Sequence, residues 1–571
     1  MPVVRGQAEF LNLPFQEKLE FLYGLPARQK RDLILSAPEA ERLVQSFSPE
    51  TLFYTLKEIG SADAGDLLSL ALPEQVKSLF DLDCWDKDRP NFDRMREWID
   101  TMAESGRRRM ADGLMELDLE LMSLLLRRYI KVHRMDDPAA SPDAPSNRFV
   151  QFEENYLIEF KRHDPILPLI TDFLEEAFER DYRYFSGLME EIYWGVEAEL
   201  EEEAYQFRRA RLNDRGFPDF YEAQDVFAYI DPRRFFEIRA QYVKPSRADL
   251  LNDEEIVPPD MAPVSAFAET SLFNAALTAG FAAQGKRQIR SEMAMVTNQV
   301  LVAMAIDFGD PDAVRVAVEM THHYLNLGLE YLAGGDLQNA IEHLRNTDLK
   351  LLFRLGMSLT LDLRKRAEAS VSKLGLAPRP REIPYLDSPY REALAGFLER
   401  RPRFYAGAEN RAAVELRDFR TMNDLHLAYA ILDEIDSIPH LFRAMLSLDI
   451  TSPAFRVQVA GHEVRLSQIL LTAFARYAIE KRLSYAPIEA SLLPAVRGAV
   501  MSRNQEPARL SSSFHEVIDA LIAERLAEET ARRSAAYINS CLNLLEDEFS
   551  GLVAEPEIDP RYIGSLLLRL G

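Results

Sequence analysis

Residues 13–34 read LPFQEKLEFLYGLPARQKRDLI and begin a stretch, Leu13 to Asp83, in which proline returns at nearly regular steps. Proline fixes φ and lacks an N–H group, so it is tolerated in the first turn of a helix and disrupts later turns. Each proline therefore predicts a helix start, and the stretch predicts six short helices. The prolines lie at steps of 12, 12, 11 and 24 residues, the last being two periods with one proline skipped: Pro14, Pro26, Pro38, Pro49 and Pro73.

Apolar residues lie between these prolines at helical spacing, for example Leu52, Phe53 and Leu56. A helix of about nine residues spans roughly 13 Å and is not stable alone in water, so the helices must stack and share a core. Helical periodicity dominates the rest of the chain as well. The predicted fold class is all-α: an N-terminal superhelix of short stacked helices followed by helical-bundle domains, with one or two small β-hairpins.

The composition excludes several classes of function. The chain has 571 residues, 92 acidic against 67 basic, and a formal charge of -25, which repels phosphate backbones and anionic lipid surfaces. We therefore expect neither nucleic acid nor a membrane surface as a partner. The two cysteines, Cys84 and Cys541, are far apart in sequence, so we expect two buried free thiols in a reducing cytosol.

The N-terminus, MPVVRGQAEF, lacks the apolar core of a signal peptide, so a cytoplasmic location is predicted. The least polar segments, residues 270–285 and 293–306, are shorter than the 18 or so residues that span a bilayer. We expect a buried helical hairpin there and no membrane insertion.

The proline-started segments LPFQEKLEFLYG, LPARQKRDLI and LPEQVKSLF resemble the cytosolic N-terminal superhelix of the MgtE magnesium transporters and, more loosely, the armadillo-like region of the flagellar rotor protein FliG. This resemblance covers about the first 130 residues and implies a right-handed superhelix that serves as an interaction or regulatory arm. The chain departs from the transporters in having no membrane helices, so transport is not implied. As a whole it is similar to a bacterial family of unknown function, through LPEQVKSLFDLDCWDKDR and the following Glu97 and Trp98.

Proline-rich joints at residues 136–147, 244–264 and near 377–389 divide the chain into four predicted domains, residues 1–137, 148–243, 265–376 and 384–571. Helices are predicted over residues 118–132, 165–180 and 182–212, the last with an acidic run from Glu197 to Glu203 that typically forms a solvated face. RFVQFEEN and YLIEFKRH predict a β-hairpin, and a second is possible around Phe455 to Val464. The aromatic segment GFPDFYEAQDVFAYIDP, residues 216–232, is expected to pack in the core, with a partner groove as the alternative.

The stretch FDLDCWDKDRP contains Asp81, Asp83, Asp86 and Asp88. A calcium-binding EF-hand loop starting at Asp81 would need different residues at three positions, so that reading fails. We expect a solvated turn here, with Trp85 and the later Trp98 in the core.

In the third predicted domain, Tyr324, Gly328, Ala340 and Leu344 fit either a tetratricopeptide unit or an ordinary αα-hairpin. Glu319 and His322 form an E-x-x-H pair, and His343 on the partner helix would lie within about a turn of them. The second such pair that a di-iron site requires is absent. A surface or hydrogen-bonded cluster is favoured over a metal site.

No phosphate-binding loop, nucleophile elbow or zinc-protease motif occurs in the sequence, and no cofactor is expected. The leading hypothesis is a protein-binding scaffold or regulator whose stacked helices provide long surfaces. The alternative is an enzyme or metal-dependent sensor with a site at residues 319–343 or between domains. Arg28, Lys30 and Arg31, with Lys57 as an optional member, are interpreted either as ordinary surface charges or as a basic patch that would dock an acidic partner or the acidic run Glu197 to Glu203.

Overall fold

The computed structural model describes residues 7–23, 25–135, 149–152, 155–161, 163–241, 271–376, 383, 385–410, 414–459, 464–502, 508–552 and 558–569. Helices account for 71% of the structure, which confirms the all-α prediction. The chain divides into two compact units, one of residues 1–230 and 234–354, the other of residues 231–233 and 355–571. Compactness does not test independent folding, so the four domain boundaries stay predictions.

The stretch of recurring prolines forms the six helices that it predicts, preceded by one more short helix. Pro49 and Pro73 each occupy the first turn of a helix, and the Ser48 hydroxyl accepts a hydrogen bond from the Thr51 N–H at 3.1 Å. Leu52, Phe53 and their counterparts on neighbouring helices are buried between them. The helices are α1 (Gln7–Leu11), α2 (Phe15–Tyr23), α3 (Ala27–Ser36), α4 (Ala40–Gln45), α5 (Pro49–Ile59), α6 (Ser61–Leu68) and α7 (Pro73–Asp83).

The remaining helices of the first unit complete its core. The helix predicted over residues 182–212 is two helices, because the chain turns at Gly195. In chain order they are α8 (Phe92–Ala103), α9 (Arg107–Met115), α10 (Leu119–Arg127), α11 (Leu167–Arg180), α12 (Tyr182–Trp194), α13 (Glu197–Asp214), α14 (Phe220–Ala223), α15 (Phe235–Gln241), α16 (Leu272–Gly280), α17 (Ala283–Ala303), α18 (Pro311–Ala333), α19 (Leu337–Asn346) and the start of α20 (Leu349–Lys373).

Strands in this unit form a small sheet that crosses a predicted joint. Besides the short pair β1 (Trp85–Asp86) and β2 (Arg89–Pro90), the strands are β3 (Ile130–Arg134), β4 (Phe149–Phe152) and β5 (Tyr156–Phe160), antiparallel in the order β3-β5-β4. The β4–β5 hairpin confirms the prediction, but the helix expected over 118–132 is wrong beyond Arg127. Ile130 and Val132 alternate with an exposed lysine, and their strand pairs with β5 in the register Ile130 opposite Phe160.

The two apolar segments expected to pair as a hairpin both pack against α18, as α16 and α17. No helix among the described residues is long and apolar enough to cross a bilayer. Helices α18 and α19 pack on each other with Gly328 and Ala340 buried, as either reading of that pattern requires, so the choice between a tetratricopeptide unit and an ordinary hairpin stays open.

The second unit is a helical bundle. Its helices are the rest of α20, α21 (Tyr390–Leu398), α22 (Met422–Leu446), α23 (Pro453–Val459), α24 (Leu466–Glu480), α25 (Leu493–Val500), α26 (Ser512–Arg525) and α27 (Glu528–Ser550). Its strands are β6 (Phe404–Tyr405), β7 (Leu416–Arg417), β8 (Ile488–Glu489) and β9 (Leu568–Arg569). The second hairpin considered at Phe455 is wrong, because the Ser452 hydroxyl accepts from the Phe455 N–H at 3.2 Å and caps α23 instead.

Candidate functional site

Helix α13 is anchored to the N-terminal helices by Arg211, whose guanidinium lies between two carboxylates. Its Nε and Nη2 donate to the carboxylate oxygens of Asp81 at 2.7 and 2.8 Å. Its Nη1 and Nη2 donate to those of Asp118 at 3.0 and 2.6 Å. Asp81 is only 2% exposed, and Asp118 also pairs with Lys77 at 3.1 Å. Paired, hydrogen-bonded charges of this kind are the form in which a protein interior tolerates ions.

The protonation of this cluster reflects burial and pairing together. Burial alone would lower the pKa of Arg211, but the hydrogen bonds and charges of Asp81 and Asp118 raise it above its ordinary value. Burial raises the pKa of Asp81, and its hydrogen bonds with Arg211 oppose that rise. The carboxylate therefore depends on the arginine for its compensation.

A second arginine one turn earlier strengthens the anchor. Arg208 Nε donates to the backbone carbonyl of Asp81 at 2.7 Å, and its guanidinium lies over the Trp85 ring at 5.0 Å. Burial lowers the pKa of Arg208 to about 10, which leaves it charged at neutral pH. These two arginines thus bind the end of α7.

The neighbouring Asp83 makes a second buried cluster. Its carboxylate accepts from Lys57 Nζ at 3.0 Å and from Trp98 Nε1 at 2.8 Å. Arg94 Nη1 lies 3.5 Å from the same carboxylate. Arg94 Nη2 donates at 2.6 Å to the carboxylate of Asp307, in the turn between α17 and α18. Asp81 and Asp83 are therefore buried, and the solvated turn expected here is wrong for them. It is right for the exposed Asp86 and Asp88, and Trp85 and Trp98 lie in the core as predicted.

With one face anchored, α13 turns a different flank to solvent. Val196, Glu199, Glu203 and Phe207 follow each other at steps of three, four and four residues, which places them along one side of a helix, and all four are exposed. Phe207 is 47% exposed. We call these four residues the α13 flank. Trp194, which precedes its first turn, is 67% exposed.

The aromatic segment after α13 divides between core and surface. Phe217 is buried against Phe308, with ring centroids 5.2 Å apart, as expected. Phe220 and Tyr221 are exposed, Tyr221 by 84%, so the expectation of core packing is wrong for them. Arg209 of α13 lies 3.7 Å from Asp219, which places this aromatic turn beside the second half of α13.

The histidines expected near one another have different surroundings. The buried His322 lies with Nε2 3.3 Å from the Ser271 hydroxyl, and burial lowers its pKa to about 4. His343 is half-buried beside the Phe236 ring, and burial lowers its pKa too. Glu319 is half-buried on α18. Within the described ranges, no group of three or more histidine, cysteine, aspartate or glutamate side chains could hold a metal ion.

The residues of the predicted basic patch do not form one exposed basic surface. Lys30 is 8% exposed, and its Nζ lies 3.3 Å from the Thr55 hydroxyl, while burial lowers its pKa. The Arg31 guanidinium donates to Asp66 at 2.7 Å, and this hydrogen bond raises the pKa of Arg31. Lys57 is paired with Asp83, and only Arg28 is exposed without a described partner. Helical spacing could not separate these positions, because short helices in an array bury more than one side.

Sequence reasoning missed the anchoring arginines. Arg208 and Arg211 are three residues apart and follow an acidic run. This pattern is compatible with an exposed helix face as well as with a buried one. Asp81 and Asp118 are 130 and 93 residues away from Arg211 along the chain. A stronger hint was the weak apolar periodicity of α13. A helix without a clear apolar stripe has to bury some of its polar side chains against the protein, and buried arginines need carboxylates opposite them.

Comparison with known proteins gives a family. The model of the family of unknown function DUF6178 matches residues 7–569, while no curated protein and no solved structure matches the chain. The resemblance of the first 130 residues to the MgtE transporters and FliG is not confirmed and stays a prediction. Because the family model covers nearly the whole chain, the protein belongs to the family of unknown function DUF6178.

Proposed function

We propose that the protein is a protein-binding scaffold or regulator, and that a partner docks on the α13 flank and the adjacent Trp194. The observation that carries the proposal is the exposure of two large aromatic side chains, Phe207 on the anchored helix α13 and Trp194 at the end of α12. Trp194 is 67% exposed and leaves a large apolar surface in water, and tryptophan is enriched among the few residues that carry most of the binding energy of protein interfaces. We further propose a cytoplasmic location for this function.

The anchor matters because a rigid surface loses less entropy when a partner binds. Arg208 and Arg211 hold one face of α13 through buried charged hydrogen bonds, so the exposed flank keeps its geometry in the free protein. The alternative hypothesis is an enzyme or metal-dependent sensor with a site at residues 319–343 or between domains, and the histidines at residues 319–343 give it no comparable observation. His322 is buried and neutral there, with Ser271 as its neighbour.

The test is affinity capture from native cells with the full-length chain and a double variant, W194A/F207A. We expect the variant to keep the wild-type unfolding midpoint, because both side chains are exposed, and to lose the partner. The matched control is Y562A, which removes another highly exposed aromatic ring from the second unit. Equal recovery of the same partners by wild type and W194A/F207A would refute the proposed surface.

A further inference from the structure

We propose that the partner segment is a cationic amphipathic helix, with basic side chains facing Glu199 and Glu203 and apolar side chains facing Val196 and Phe207. This inference rests on the proposed function and names the chemistry of the partner. Its starting point is that the α13 flank combines two features that are both unfavourable in the free protein, like charges one turn apart and exposed apolar groups.

Negative charge is in excess around the α13 flank. Glu199 and Glu203 are four residues apart on α13, and in the described part of the chain neither has a lysine or arginine within ion-pair distance. Nearby, burial raises the pKa of Glu120, and the charges of Asp118, Glu203 and Glu191 add to the rise. The basic residues of α13 are turned away to Asp81, Asp118 and Asp219. A cation supplied by a partner would relieve the repulsion that the protein itself leaves in place.

The spacing defines the partner segment. Val196 and Phe207 are eleven residues apart, which is roughly 16 Å along a helix, and the Cβ atoms of the two glutamates between them are about 6 Å apart at helical spacing. A helix of three to four turns covers this length. It would carry apolar residues near both ends and two lysines or arginines four residues apart between them, as in helices that dock an apolar face into a partner surface.

Other occupants fit the flank less well. A second copy of this chain would place carboxylates against carboxylates in a symmetric contact, on a protein of charge -25. An acidic or phosphorylated segment would meet the same repulsion. Charge complementarity thus selects a basic partner.

The experiment uses the full-length protein and a labelled helical peptide of 18 residues based on alanine. The peptide carries leucines eleven residues apart and two lysines four residues apart between them. A second peptide replaces both lysines by glutamate, and a third replaces both leucines by alanine. Binding is followed by fluorescence anisotropy over a salt series from 50 to 300 mM. Trp194 serves as an internal reporter, because it is exposed while Trp85 and Trp98 are buried.

We expect the lysine–leucine peptide to bind best, to shift the Trp194 emission to shorter wavelength, and to weaken as salt rises. The variant E199Q/E203Q should bind it about tenfold more weakly at 50 mM salt and with little salt dependence. The control E516Q/D519N removes two exposed carboxylates from α26, with the same change in net charge, and should bind as the wild type does.

Two results would overturn the inference: equal binding of the lysine and glutamate peptides, or unchanged binding by E199Q/E203Q. The proposed function is separable from it. If E199Q/E203Q still captures the native partner and W194A/F207A does not, the flank is a docking surface but its partner is not cationic. If neither variant loses the partner, the surface itself is wrong.

Discussion

Replacing Arg211 by methionine removes the guanidinium that neutralises Asp81 and Asp118 while keeping the length of the side chain. Four hydrogen bonds of 2.6 to 3.0 Å are lost. Asp118 keeps Lys77, but the buried carboxylate of Asp81 loses its hydrogen bonds to Arg211 and retains the charge of Arg208 alone of the two arginines. Breaking a buried pair in this way typically costs about 3–5 kcal/mol, and we expect the free energy of unfolding of the first unit to fall by about that amount.

The assay is urea unfolding of the full-length protein followed by tryptophan emission. All three tryptophans lie in the first unit, so the signal reports on that unit. The matched control is R209M on the same helix, where the arginine is exposed and its ion pair with Asp219 is loose, at 3.7 Å. A change within about 0.5 kcal/mol is expected for the control.

Two further measurements separate charge from packing. In D81N/R211M the uncompensated charge is gone, so at least half of the lost free energy should return. In R211M alone, the pKa of Asp81, already raised by burial, rises further without the arginine. Protonation then relieves the cost as the pH falls, so the deficit should shrink between pH 8 and pH 5. A deficit below about 1 kcal/mol, or one unchanged by D81N and by pH, would refute the role assigned to this cluster.

Three other predictions concern the first unit. A Cβ added at Gly309 would lie 2.5 Å from Asp83 Oδ1, so G309A should shift the turn between α17 and α18 and lower the free energy of unfolding by about 1–3 kcal/mol; an unchanged urea midpoint would contradict this packing. The pKa of His322 is about 4 when folded and about 6.5 when unfolded, so the unfolded chain takes up a proton first and stability should fall by roughly 3 kcal/mol from pH 7 to pH 4. H322Q should lose that component of the pH dependence, and an identical pH profile would show that it comes from elsewhere. K30E should lower the free energy of unfolding by about 2 kcal/mol or more because Lys30 is buried, whereas R28E at an exposed position should change it by less than about 0.5 kcal/mol. Equal urea midpoints for the two variants would indicate that Lys30 is a surface residue, as the predicted patch requires.

Local chemistry explains where sequence reasoning succeeded. Pro49 and Pro73 place helix starts through the fixed φ of proline, whatever the helix later packs against. The strands on either side of residues 153 and 154 follow from β-branched and aromatic residues, and they form the expected hairpin. The burial of Trp85 and Trp98 likewise follows from side-chain chemistry.

The amino-acid sequence by itself thus determined the helical class of this protein and most of its helix starts, because these depend on neighbours within about four residues. Only the tertiary structure decided which charges are buried. Asp81 and Lys30 are of residue types that usually lie on the surface. They are buried because partners from distant positions in the sequence form hydrogen bonds with them, Arg211 with Asp81 and Thr55 with Lys30. The tertiary structure also decided that the chain forms a strand at Ile130. A strand is stable only when its backbone N–H and C=O groups have hydrogen-bond partners, and the partners of β3 lie in β5, beyond the joint at residues 136–147.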